Sequence, residues 1–135
     1  MGHGVAQDDF LELCNAATDG VTVERNRPVF DELLARCSLS ISQAGYNTVM
    51  DILQSGVRAV LVPYAEADEQ EQTIRAELLA ARGRVVMLPE SELTTDGLAA
   101  AADAAIDMPL PQHHYSFSGA ARSAELVLAW LDGAG

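Results

Sequence analysis

The sequence predicts an α/β fold, a doubly wound parallel sheet of Rossmann-like type, and three observations carry that reading. Short apolar or β-branched runs alternate along the chain with amphipathic stretches of helical period. Helices of ten or so residues between strands demand crossovers, which join parallel strands and cover both sheet faces. The runs at 59–62 and 85–88, Ala-Val-Leu-Val and Val-Val-Met-Leu, are unbroken and apolar, as strands buried on both sides must be. About four strands are visible, few for such a fold, and a helix comes almost first. The chain is therefore expected to be part of a larger protein whose first strands precede it.

Each element has a local cause. Residues 8–17 place Phe10, Leu11, Leu13 and Cys14 on one helical face, and Thr18, Asp19 and Gly20 stop that helix. Val21, Thr22 and Val23 read as a short strand. Pro28 opens a helix reaching Arg36, with Val29, Phe30, Leu33 and Leu34 as its buried stripe. Leu39, Ser40 and Ile41 form the next strand. A helix follows over 47–54, with Val49, Ile52 and Leu53 inward and Gly56 just past its end. Pro63 closes the strand at 59–62, and a long helix over 68–81 stops at Arg82 and Gly83. After the strand at 85–88, Thr94 or Thr95 caps a helix running to Ala105. Residues 106–118 carry prolines and read as a linker. A last helix over 119–131 offers Ala124, Val127, Leu128 and Leu131 to the body. The whole of 1–135 is taken as one domain with room for a single core.

Composition removes several classes. With 49% hydrophobic and 21% charged residues the chain is no disordered tail. No apolar run reaches the roughly 18 to 20 residues that a transmembrane helix needs. Eight arginines, no lysine and twenty acids leave a formal charge of −12, a field that repels phosphate backbones and anionic lipid. A sequence-independent nucleic-acid binder is excluded on that ground. Cys14 and Cys37 lack CxxC spacing; two reduced thiols in a cytoplasmic protein is one reading, a single disulfide the other. His113 and His114 are adjacent, point apart on most backbones, and have no metal-ligand set around them.

In an open parallel sheet, ligands bind where strands end at their carboxyl edge. After Ile41 comes Ser42-Gln43-Ala44-Gly45-Tyr46-Asn47-Thr48, leading into a helix. Gly45 permits close backbone approach, the helix start offers free amides, and Ser42 and Thr48 add hydroxyls, a set suited to phosphate. An ordinary strand-to-helix turn with Asn47 as N-cap is the other reading. Asp51, one turn on, either accepts the two hydroxyls of a ribose or complements the helix dipole. Glu69 and Gln70 stand at the start of the next helix, as ligand contacts or as solvated polar residues. Arg25 and Arg27 either touch a base or phosphate or are simply solvated.

Taken together, the string Ser42 to Asp51, then Gly56, then Val60-Leu61-Val62-Pro63, then Glu69-Gln70 and Arg75-Ala76, resembles the C-terminal domain of GT-B glycosyltransferases of family 28. The resemblance runs from about residue 21 to about residue 105. That family includes MurG-like enzymes, which move N-acetylglucosamine from UDP to a lipid-linked muramyl peptide, and related bacterial glycosyltransferases. It implies two Rossmann-like domains around a cleft, one for the acceptor and one for a nucleotide-sugar donor. By the same resemblance, Ser42, Gln43, Ala44, Gly45, Asn47 and Thr48 would face the diphosphate and Asp51 the ribose. Glu69 and Gln70 would reach the donor sugar, and Glu24, Arg25 and Asn26 would lie near the base. Asp51 stands where the family usually has glutamate, and Glu69-Gln70 replaces the more usual double glutamine.

The implied activity is hexosyl transfer from a nucleotide sugar, UDP-linked, with inversion and without a metal or other cofactor. The general base and the acceptor domain would lie outside this chain, which alone is expected to be inactive. Localisation is expected to be cytoplasmic, with the whole protein peripheral to the membrane. A sheet edge left bare by absent strands would invite a second copy, so a homodimer is a further expectation. Two rivals are a sugar-nucleotide epimerase of the same fold and a non-catalytic nucleotide-binding or interaction module. A receiver-like module would want clustered aspartates after an early strand and a later lysine, and neither is present.

Overall fold

Three strands, β1 (Ser40–Ser42), β2 (Ala59–Leu61) and β3 (Val86–Met87), lie parallel in the order β1-β2-β3 in the computed structural model. The structure describes residues 5–25, 29–64, 70–110, 123, 124 and 126–130. It divides into two compact units, Met1–Leu33 and Leu34–Gly135. The sheet belongs to the second. Ser40, Ile41 and Ser42 stand opposite Ala59, Val60 and Leu61, and Val60 and Leu61 stand opposite Val86 and Met87. The ladder extends past the strand ends: Val62 N–H donates to the Ser42 carbonyl at 2.9 Å and Leu88 N–H to the Leu61 carbonyl at 3.0 Å.

The two-residue period of β2 sorts the core into two layers. Ala59 and Leu61 face α3 (Tyr46–Ser55) and α4 (Glu71–Ala81), whose Val49, Ile52 and Ala76 complete one buried cluster with Leu34, Ala44, Val57 and Val85. Val60 faces the other way, against Leu88 and against Ala101 and Ala105 of α5 (Thr95–Asp107). All three residues of β2 are fully buried. Burial of a Val or Leu side chain stabilises by about 1.5–3 kcal/mol, so this strand anchors both layers. Helices on both faces of a parallel sheet make the fold doubly wound, as expected. Where α5 packs on β2 and β3, Ile41 of β1 keeps 47% of its surface exposed.

The expected stops are where they should be. Gly56 (φ 70°) and Gly83 (φ 63°) take the left-handed conformation that closes α3 and the turn after α4. Thr94, not Thr95, caps α5, its hydroxyl accepting from the Gly97 N–H at 3.0 Å. A single 3-10 turn, Glu90–Glu92, precedes that cap and was not foreseen.

Other expectations are corrected. Val21, Thr22 and Val23 form no strand, so the described sheet has three strands rather than four. A β-branched run becomes a strand only where a neighbour supplies ladder partners, and its local bond is a turn, Val21 N–H to the Thr18 carbonyl. The first helix, α1 (Gln7–Ala16), forms, yet none of its residues is buried. The next, α2 (Phe30–Leu34), is only five residues long; Leu34 is buried while Val29, Phe30 and Leu33 are exposed, because one turn offers few inward positions. Pro28 lies outside the described residues. So do Asp68 and Glu69, and α4 is described from Glu71. The helix α5 continues to Asp107, two residues into the stretch expected as linker 106–118. Residues 126–130 are helical, but Val127 and Leu128 are exposed, as is Ala124, and Leu131 is outside the described residues. Both cysteines are free and half-buried.

Candidate functional site

At the carboxyl end of β1 the chain leaves the sheet at Ser42, passes Gln43 and Ala44, and enters α3 through Gly45. Ser42 shares the face of Leu61, toward the α3 layer, and its Oγ is buried without a hydrogen-bond partner. Among the described residues it is the buried side-chain polar atom left in that state. Such a hydroxyl costs about 1–3 kcal/mol while it stays unpaired.

The start of α3 is equally unfinished. Gly45 is the N-cap, in place of the expected Asn47, and no side chain accepts a hydrogen bond there. Glycine and asparagine are both good caps, so spacing alone cannot choose between them. The helix opens one residue early, and Val49 N–H donates to the Gly45 carbonyl at 3.0 Å. The N–H groups of Tyr46, Asn47 and Thr48 thus have no acceptor within the helix, and the positive end of its dipole faces outward. Gly45 has φ −60° and ψ 147°, which any residue can adopt, and a Cβ there would meet nothing within 4 Å. Neither the backbone nor the core requires glycine at this point. What its missing side chain leaves is room outside the protein.

Asp51 lies half-buried in the second turn of α3, four residues beyond Asn47 and three beyond Thr48, so the three share a face. Gln43 and Asn47 are exposed, and Ala44 is fully buried. From α4, Arg75 reaches this loop and donates from Nη1 to the Ala44 carbonyl at 2.6 Å. Gln70, exposed, is the N-cap of α4, and its carbonyl accepts from Ile74 N–H at 2.9 Å. Ser42 to Asp51 therefore form one continuous group, with Gln70 at the start of the helix that Arg75 ties to it.

Arg25 is a different case. It belongs to the first unit, where it donates to the Val5 carbonyl at 3.0 Å and to Gln7, and its guanidinium sits 4.4 Å from the Phe10 ring centroid. Of the two readings offered for it, simple solvation is corrected: it holds α1 to the segment after it. Arg75 stands in the string that carries the resemblance, but its reach to Ala44 was not legible there, and a cleft of about 400 Å³ at the carboxyl ends of β2 and β3 was missed. Pro63, Met87 and Pro89 give that cleft apolar walls, and Thr73, Glu90 and Ser91 give it polar ones. Prolines directly after two apolar runs were the available signal.

A family model described as the glycosyltransferase family 28 C-terminal domain matches residues 8–126. The chain belongs to that family. The family 28 domain is 36% identical over 115 residues to an enzyme of Rhodospirillum centenum, covering 80% of this chain and 30% of that protein. That relative is a UDP-N-acetylglucosamine–N-acetylmuramyl-(pentapeptide) pyrophosphoryl-undecaprenol N-acetylglucosamine transferase. Proteins of the same name from Synechococcus elongatus and Cupriavidus pinatubonensis are 38% and 37% identical, over 59% and 71% of this chain. The domain spans 30%, 25% and 27% of the length of these three relatives. A solved structure, the glycotransferase of kitacinnamycin, superposes with a TM-score of 0.54 at 24% identity, over 63% of this chain and 21% of that one. That likeness bears on the fold alone, which is Rossmann-like and of GT-B type.

Proposed function

We propose that this domain holds the nucleotide-sugar donor of a glycosyltransferase, and that the donor is a UDP-linked hexose. The observation that carries the reading is the unfinished end of α3: an uncapped helix start, an orphaned Ser42 hydroxyl beside it, and a glycine the fold does not need. A diphosphate would satisfy all three at once, accepting from the Tyr46, Asn47 and Thr48 amides and from Ser42. The same donors would act most strongly as charge builds on the departing UDP during transfer, which is where fixed dipoles accelerate a reaction. Asp51 would take the ribose hydroxyls, being on the same face one turn deeper. Glu69 and Gln70 would reach the sugar hydroxyls. The relatives' names specify UDP-N-acetylglucosamine, and we propose it as the donor here. The acceptor and the base that deprotonates it would come from a second domain of a cytoplasmic, membrane-peripheral parent.

Calorimetric titration of the chain with UDP, UDP-N-acetylglucosamine, GDP and dTDP tests this. Saturable binding of the two uridine ligands, weakened about tenfold in Asp51→Ala through loss of hydrogen bonds to a charged acceptor, is the expected result. Preference for GDP would replace the base. A folded chain that gives only dilution heat with all four would overturn donor binding by this domain.

A further inference from the structure

We infer that Arg75 is a positioning residue for the loop that receives the diphosphate, an assignment that rests on the donor-site reading above. Its side chain is 18% exposed and touches three things at once. Nη1 donates to the Ala44 carbonyl at 2.6 Å, Nη2 pairs with the Glu71 carboxylate one turn earlier in α4, and the guanidinium carbon lies 5.7 Å from the Tyr46 ring centroid. Ala44 and Tyr46 flank Gly45, the N-cap of α3. The guanidinium therefore grips the residue before the helix start and the residue after it, from a different crossover helix.

That grip matters because, besides the packing of Ala44 in the core layer, no side chain of the loop itself fixes its entry into α3. Residues 43–45 are in neither strand nor helix, and no side chain caps Gly45. Ala44 is fully buried, so its carbonyl has no water to turn to and depends on the Arg75 N–H. The direction in which the Tyr46, Asn47 and Thr48 amides point follows from where this loop enters α3. A site built from fixed donors works only if those donors are already aimed, so a side chain that fixes the loop fixes the site. The ion pair with Glu71 is not itself a large stabilising force, since that carboxylate is 76% exposed and screened by solvent. Its effect is to orient the planar fork, leaving one N–H for Ala44 and the flat face for Tyr46. Lysine, a point charge on a flexible stem, cannot make that set of contacts.

The test compares the wild-type chain with Arg75→Lys and Arg75→Met, each first checked for a cooperative thermal transition. Backbone ¹⁵N order parameters are measured without ligand, and UDP and uridine are then titrated. In both variants the order parameters of Gln43 to Tyr46 should fall while those of β2 stay unchanged. UDP should bind about tenfold more weakly, and uridine, which has no phosphate, should bind as it does to the wild type. Unchanged loop order and unchanged UDP affinity in Arg75→Met would overturn the assignment. Full recovery of loop order and UDP binding by Arg75→Lys would overturn it too, because charge alone would then suffice. If Arg75→Met does not fold, Arg75→Lys, which keeps both charge and stem, decides by the same readouts. Loop disorder in the variants, in a protein whose wild type binds no UDP, would sustain the positioning role and remove the donor reading.

Discussion

At the start of α5 the Thr94 hydroxyl accepts from the Gly97 N–H at 3.0 Å, whereas at the start of α3 no side chain caps the helix. Both starts contain a glycine, for opposite reasons. A Cβ on Gly97 would collide with the Glu92 carbonyl oxygen, so the fold itself excludes a side chain. A Cβ on Gly45 would stand in open space. A side chain satisfies one of the free amides at α5 and none at α3, where Ser42 adds a further unmet group. Two helix ends of similar sequence character thus differ in who finishes them: the chain's own side chain in one case, the proposed diphosphate in the other.

Three substitutions would break or sharpen that contrast. Gly45→Asp has the largest expected effect, and its two consequences have opposite signs. The new carboxylate caps α3 and complements its dipole, raising stability by about 0.5–1 kcal/mol. It also occupies the anion position, so UDP affinity should fall at least about a hundredfold, or about 2.7 kcal/mol. Thermal melts and calorimetry on one preparation check both; a parallel loss of stability and binding would place the site elsewhere. Next comes Gly97→Val, which should lower stability by about 1–3 kcal/mol through overpacking against the Glu92 backbone, without changing UDP affinity in the folded fraction. Denaturant titration reads the first and calorimetry the second. Ser42→Ala is the smallest. Removing an unpaired buried hydroxyl should leave the melting point level or raise it by the equivalent of about 1 kcal/mol, while UDP binding weakens a few-fold. A melting point that drops would mean that Ser42 already has a partner.

How much of this was readable beforehand depended on distance along the chain. Gly56, Gly83 and the Thr94 cap act within a few residues, and each was legible as a local rule. Ser42 to Asp51 lie together for the same local reason, on one loop and the helix it enters. The apolar run at 59–62 announced a strand buried on both faces, and β2 is one. Val21 to Val23 failed because a strand needs a neighbour, and local β-propensity does not say whether one exists. The contacts of Arg25 and Arg75 were not legible for the same reason. Arg25 finds Val5 and Gln7 at 20 and 18 residues' distance, and Arg75, besides Glu71 one turn earlier, finds Ala44 at 31. A guanidinium in a sequence shows its chemistry but not its address.

The place of β2 has a kinetic consequence. It is paired on both sides and covered on both faces, so opening it means opening both layers of the core. Segments of that kind open only with the global free energy of unfolding, while loops open at far smaller cost. Ser42 ends the strand on one flank of β2, and Pro63 follows β2 itself. The groups proposed to meet the donor are thus tethered to the slowest part of the molecule, and they can rearrange many times during the lifetime of a single folded state.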